Sequence, residues 1–340
     1  MPNPANHAYR VSLVTAVTLA FAYAMGLSLP FIAPLFAFLL AAKSEKAVAM
    51  KGMVGLLLLI TITLGAGLLL IPLLTHYPFT GLLLVFIGIF FSNQLMLNKG
   101  KGLVGLFFMF GVTLISIMGT VDFSAAGLII NTILVAVICA IVAQWLIFPF
   151  FPVAPRAEAP AAPAANEAGL WIAIRTTVIV FPVYLLTLTN PTLYLPMVMK
   201  AVSLGQQSTD TELRAAGQEL VTSTLLAGLL AVAFWLLLQV HPVLWIFFLL
   251  SALFTLGISR RLFGLVQSRY PPSFWQNTMI TLLLLIGPAV QDTLTGKDVY
   301  KAFTVRISLF IAVSFYAWFA TQLLENVKSR RLMRLAQTRA

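Results

Sequence analysis

Apolar runs of about 20 residues, the length of helix that crosses about 30 Å of hydrocarbon, recur along the whole chain and leave almost no room for a water-soluble fold. In the first half they cover 11–27, 29–42, 52–74, 79–97, 102–120 and 125–148. In the second they cover 170–189, 191–206, 219–239, 242–258, 274–291 and 300–324. Runs 29–42 and 191–206 are short and carry Pro30 and Pro34, or Pro191 and Pro196. Composition agrees, with 60% apolar residues, 9% charged residues and a mean hydropathy of +0.99. The expected class is an all-α, polytopic helical membrane protein with about 12 transmembrane helices. A basic start at Arg10 followed by an apolar run resembles a secretory signal, but the run is long, broken by proline and followed by further spans, so it reads as retained.

Charge fixes an expected orientation. With the N-terminus inside, all but Lys297, Lys301 and Arg306 of the 21 lysines and arginines fall on cytoplasmic loops or ends. The net charge of +11 is therefore a topology signal and not a nucleic-acid surface. Both termini are expected in the cytoplasm. The basic tail, residues 325–340, either lies along anionic lipid heads through Leu332, Met333 and Leu335 or is a solvated helix end. The single cysteine, Cys139, excludes a disulfide framework and a cysteine metal cluster.

Residues 151–169 form a Pro/Ala-rich cytoplasmic linker between a first membrane repeat, 1–150, and a second, 170–324. Arg10 and Arg175, Gly52 and Gly217, and His76 and His241 are each 165 residues apart, and Pro30 and Pro196 are 166 apart. Each half holds an even number of spans, so both halves start inside. They are expected to be parallel six-helix repeats about an axis along the membrane normal, an arrangement common in transporters.

A permanent charge within a span costs about 2.5–3.5 kcal/mol on insertion scales and demands a partner or a water-filled cavity. Arg306 has only apolar neighbours at helical spacing, so either another helix or a ligand neutralises it, or it snorkels to the outer surface. Lys200 follows Pro196 by four residues in a short segment whose proline removes a helical hydrogen bond. It either lines a site or lies along the cytoplasmic interface. None of the ten acids is expected at mid-membrane; Asp122, Asp292 and Asp298 are placed at the outer rim. A cavity lined by these two cations would prefer an anion, and arginine suits a carboxylate. Outward movement of one negative charge down about 100 mV gains about 2.3 kcal/mol, so anion export needs no ATP.

No P-loop spacing, nucleophile triad, catalytic carboxylate pair or metal-ligand cluster is present in the sequence, which argues against an enzyme and implies no cofactor. His76, His241, Asp122, Asp292 and Asp298 are candidates for proton coupling, or ordinary solvated loop residues. Tyr194, Trp318 and Phe303 could stack on a ring, or face lipid and pack.

The segments "YRVSLVTAVTLAFAYAMGLSLPFIAPLFAFLL" and "DVYKAFTVRISLFIAV" resemble the fusaric acid resistance and aromatic acid exporter superfamily, in a compact membrane-only form. The specific element is Asp298 followed eight residues later by Arg306 in a closing helix. The resemblance implies an inner-membrane efflux subunit for aromatic carboxylic acids or similar xenobiotics, partnered by a periplasmic membrane fusion protein. The chain departs from larger members in having only a short linker where they carry a cytoplasmic domain. On this reading Arg306, Lys200 and Asp298 contact substrate, and Pro30, Pro34 and Pro196 shape broken hairpins. Arg306→Ala is then expected to abolish efflux while leaving abundance near wild type. A scaffold subunit of an envelope complex and an anion channel are the other readings, and a homo-oligomer is compatible with each.

Overall fold

The computed structural model describes residues 5–27, 29–97, 101–153, 167–207, 213–294 and 298–337. The core of the expected linker, 154–166, lies outside the described residues, as do Lys99, Arg156, Lys297 and Arg339. Among the described residues the chain is helical and has no strand. The first half comprises α1 (Asn6–Ala24), α2 (Ile32–Lys43), α3 (Met50–His76) and α4 (Pro78–Leu97), then α5 (Gly102–Phe110), α6 (Ser116–Val121) and α7 (Phe123–Ile147). A π-helical turn, Gly111–Ile115, joins α5 and α6 into one rod. The second half comprises α8 (Glu167–Thr189), α9 (Pro191–Gln207), α10 (Leu213–Val240), α11 (Leu244–Leu262), α12 (Pro272–Leu294) and α13 (Val299–Gln337).

Helix is the form that apolar runs must take in lipid, because it satisfies every backbone group within its own segment. Buried hydroxyls follow the same logic. Thr15 donates to the Val11 carbonyl and Thr18 to that of Val14, both at 2.7 Å, so neither needs an outside partner. Gly26, at φ 63°, ends α1 with Leu27 N–H donating to the Ala22 carbonyl. Gly264, at φ 71°, ends α11 the same way through Leu265 and Arg260. Only glycine adopts this left-handed turn without strain. Asp122 caps α7 by accepting from the Ser124 hydroxyl and N–H. Those two bonds hold its carboxyl below the usual carboxylate range.

Nine helices among the described residues are long and apolar enough to cross a membrane. α2 has 12 residues, which at helical rise reach about 18 Å and fall short of the hydrocarbon thickness. The chain is thus an all-α protein of the multi-pass membrane type. Contacts between helix ends define a common basic end. There Arg10 of α1 donates to the Glu45 carbonyl beyond α2 and to the Phe148 carbonyl beyond α7. His7 stacks on Phe263 beyond α11, and Arg261 lies over Trp275 at the start of α12.

Two rods are central. The α5–α6 rod has 72% of its span buried and α12 has 83%, against 28% for α3, α4, α11 and α13, which present apolar side chains outward. α1 packs on α11 and α4 packs on α8, joining the halves at two places. α2 touches α12, and α9 touches the π turn and α6, so the short helices reach across to the opposite central rod.

At one close approach of two helices glycine meets glycine. A Cβ on Gly67 of α3 would stand 2.0 Å from the Gly111 carbonyl oxygen. One on Gly65 would meet nothing within 4 Å. With no hydrophobic force between helices in lipid, such close approach supplies the packing energy. Gly67→Val should therefore lower the melting temperature of the detergent-solubilised protein by several degrees, and Gly65→Ala should leave it unchanged.

Candidate functional site

Lys200, the tenth residue of α9, is 0% exposed. Its ammonium donates to the Asn277 side-chain oxygen at 2.7 Å and to the Thr281 hydroxyl. Both partners lie on α12 at the i, i+4 spacing that places side chains on one helix face. Asn277 in turn donates from Nδ2 to the Ser223 hydroxyl of α10 at 2.5 Å, and Ser223 donates to the Leu220 carbonyl. On the adjoining face, Thr224 meets Ser314 of α13 at 3.0 Å. A buried polar core therefore ties α9, α10 and α12 together around one cation. Its described partners are neutral oxygens, which offset only part of the several kcal/mol that desolvating an ammonium costs.

The lysine does not lie along an interface: its whole stem and head are enclosed. The sequence marked Lys200 but missed Asn277, Thr281 and Ser223. Their signal was present in "NTMIT", where amide and hydroxyl groups recur on one face of an otherwise apolar span.

Arg306 is neutralised within the chain. Its guanidinium donates to Asp292 of α12 at 2.5 Å, and the two side chains are 17% and 8% exposed. Asp292, expected at the outer rim, lies near the end of α12, which continues to Leu294, and is buried there. Of the expected fates of Arg306, neutralisation by another helix is the one seen, because the short connection between α12 and α13 brings the two side chains together. Asp298 does not join them: it is exposed, accepts from the Lys301 N–H at 3.2 Å and faces the Lys301 ammonium at 3.7 Å, capping α13.

Pro30 is buried in the turn ahead of α2, and Pro34 sits in the first turn of α2, where a missing N–H breaks no bond. Pro196 lies inside α9, whose backbone stays helical through it; its ring lies outside the described side chains. The prolines and the two cations thus do not converge on one point. His76 and His241 are exposed, Phe303 is buried, and Tyr194 and Trp318 are half-buried. Among the described residues no group of three His, Cys, Asp or Glu side chains is placed to hold a metal ion.

Among the described residues, three voids lie between the halves. At the basic end an open cleft of about 330 Å³ is lined by Leu39, Lys43, Phe263, Pro272 and Gln276. A middle void of about 20 Å³ is lined by Leu35, Leu39, Phe110, Met199, Ile280 and Leu284. Met199 and Ile280 adjoin Lys200 and Thr281 in sequence. At about 100° per residue, the void-facing side of α12 is turned about 60° from its lysine-binding side. Towards the opposite end a void of about 10 Å³ is lined by Phe31, Pro34, Ser251, Thr255, Met279 and Gly287. The middle and outer voids have room for about one water each.

Residues 7–147, α1 to α7, match the model of a family described as a protein of unknown function (DUF2955). No curated protein and no solved structure matches the chain.

Removing one partner of a buried ion pair costs about 3–5 kcal/mol, because the other charge is left unpaired. Asp292→Asn and Arg306→Ala should each lower thermal stability and membrane abundance, and Asp292→Asn combined with Arg306→Gln should recover most of the loss. Fluorescence-detected thermal melts of the three variants check this.

Proposed function

We propose that the chain is a membrane carrier that exports small organic anions, aromatic carboxylates among them, with Lys200 as the cation of its site. The observation that carries this reading is a fully buried ammonium whose described partners are neutral oxygens, one residue from Met199 of a void that both halves of the chain line. A carboxylate admitted between α9 and α12 by movement of the helices would supply the counter-charge that the described residues leave out. Conversely, Arg306 is already paired and leaves the site, where its role becomes structural. Asp298, as a helix cap, leaves it too.

The reading includes about 12 membrane helices in two parallel six-helix repeats. Its support is a packing pattern that survives exchange of the halves. The first helix of one half packs on the fourth of the other in both directions, α1 on α11 and α8 on α4. The second helix of each half reaches the fifth rod of the other, α2 to α12 and α9 to the α5–α6 rod. Those fifth rods are the two most buried spans. The repeat arginines also match in environment, Arg10 being 6% and Arg175 2% exposed.

With the basic end in the cytoplasm of a bacterial inner membrane, the open cleft faces the anion's source and Lys43 at its mouth draws anions in. Rocking of the repeats would then close this cleft and open the opposite side. A periplasmic membrane fusion protein is the partner that would carry substrate onward.

The test is counterflow of a radiolabelled hydroxylated benzoate in proteoliposomes. Saturable uptake by wild type, reduced at least tenfold in Lys200→Gln with the melting temperature retained, supports the assignment. Equal uptake by wild type and Lys200→Gln removes the lysine from the site, and no uptake by the folded wild type removes the carrier reading.

A further inference from the structure

The cleft and the middle void are strung along a single pair of helix faces. On α2, Phe31, at its N-cap, is followed at intervals of four residues by Leu35, Leu39 and Lys43; on α12, Pro272, Gln276, Ile280 and Leu284 repeat at the same interval. Residues four apart share a helix face, so each set forms one stripe along its helix. Lys43, Pro272 and Gln276 line the open cleft, whereas Leu35, Ile280 and Leu284 line the middle void. Leu39 borders both. At the far end Phe31 lies against Gly287, where an added Cβ would stand 2.0 Å from the phenylalanine Cβ. The Tyr23 hydroxyl donates to the Gly287 carbonyl at 2.9 Å and braces that contact.

We infer that the seam between α2 and α12 is the route by which a solute from the basic end reaches the middle void beside α9 and α12, and that Leu39 is the side chain that closes it. This rests on the carrier reading for what travels, but not for the route itself. Leu39 is half-buried and apolar, and it stands between a cleft of about 330 Å³ and a void of about 20 Å³. Removing its isobutyl group joins the two spaces without touching the polar core, since Leu39 is not a partner of Lys200, Asn277 or Thr281. The opposite end stays shut, because Phe31 on Gly287 is unaffected. The shortness of α2 fits the role: a 12-residue helix packed between the halves can shift without dragging a full span through lipid.

Thiol accessibility tests the route in the full-length protein, in inside-out and right-side-out membrane vesicles, with Cys139→Ala removing the native thiol. The probe is a membrane-impermeant, negatively charged maleimide, and the reporters are Leu284→Cys in the middle void and Leu285→Cys, which lines none of the three voids. With Leu39 present, both cysteines are expected to react slowly from either face. Adding Leu39→Ala is expected to speed labelling of Leu284→Cys at least tenfold from the basic face alone, with Leu285→Cys unchanged. No gain at Leu284→Cys, or an equal gain at Leu285→Cys, would overturn the inference. Labelling needs no transported substrate, so the two readings fail separately. Anion counterflow without the gain in labelling sinks the gate and leaves the carrier. A gain in labelling in a protein that moves no anion sinks the carrier and leaves the gate.

Discussion

In a medium without water, every polar group must find its partner inside the chain, and the interior of this protein is arranged around that requirement. Backbone groups meet it by helix formation, and buried threonines such as Thr15 and Thr18 by donating back one turn. Arg10 meets it with two carbonyls and the face of Phe148, whose ring centre lies 4.3 Å from the guanidinium carbon. Arg306 meets it with the Asp292 carboxylate. Lys200 meets it in geometry but not in charge, because its hydrogen bonds end on an amide and a hydroxyl. Arg10 is likewise held by neutral oxygens, but at the basic end; Lys200 is the one of the three that is 0% exposed within the helix bundle.

The two cations first marked in the sequence therefore separate by function. Arg306 and Asp292 lock α12 to α13 in the second half, away from the seam between the halves. Lys200 stands where the second helix of that half meets the fifth, one residue from Met199 of the void that both halves line. A charge paired with a carboxylate and a charge held by neutral oxygens look alike in a hydropathy plot. Only their neighbours distinguish them, and for Arg306 that neighbour is 14 residues away across a helix connection.

That pair also shows how legible such a site is. Asp292 falls one residue beyond the apolar run 274–291, and an apolar run does not record that the helix continues to Leu294. A short connection between antiparallel helices places residues on either side of it at similar depth, which was the available signal. Asn277, Thr281 and Ser223 were legible as polar positions within spans, but not as partners of Lys200. Ser223 is on another helix, and its distance from Asn277 depends on how α10 crosses α12.

The sequence by itself determined the helices: each expected run lies on a helix whose ends differ from it by a few residues, apart from the long C-terminal continuation of α13, because 20 consecutive apolar residues have one stable backbone form in lipid. It also determined a common basic end, because lysine and arginine fall on alternate connections. Tertiary structure alone decided which cation is paired, which helices are central and where the voids lie. Apolar surfaces facing lipid and apolar surfaces facing protein carry the same residues, so their separation rests on packing between segments that sequence order does not specify.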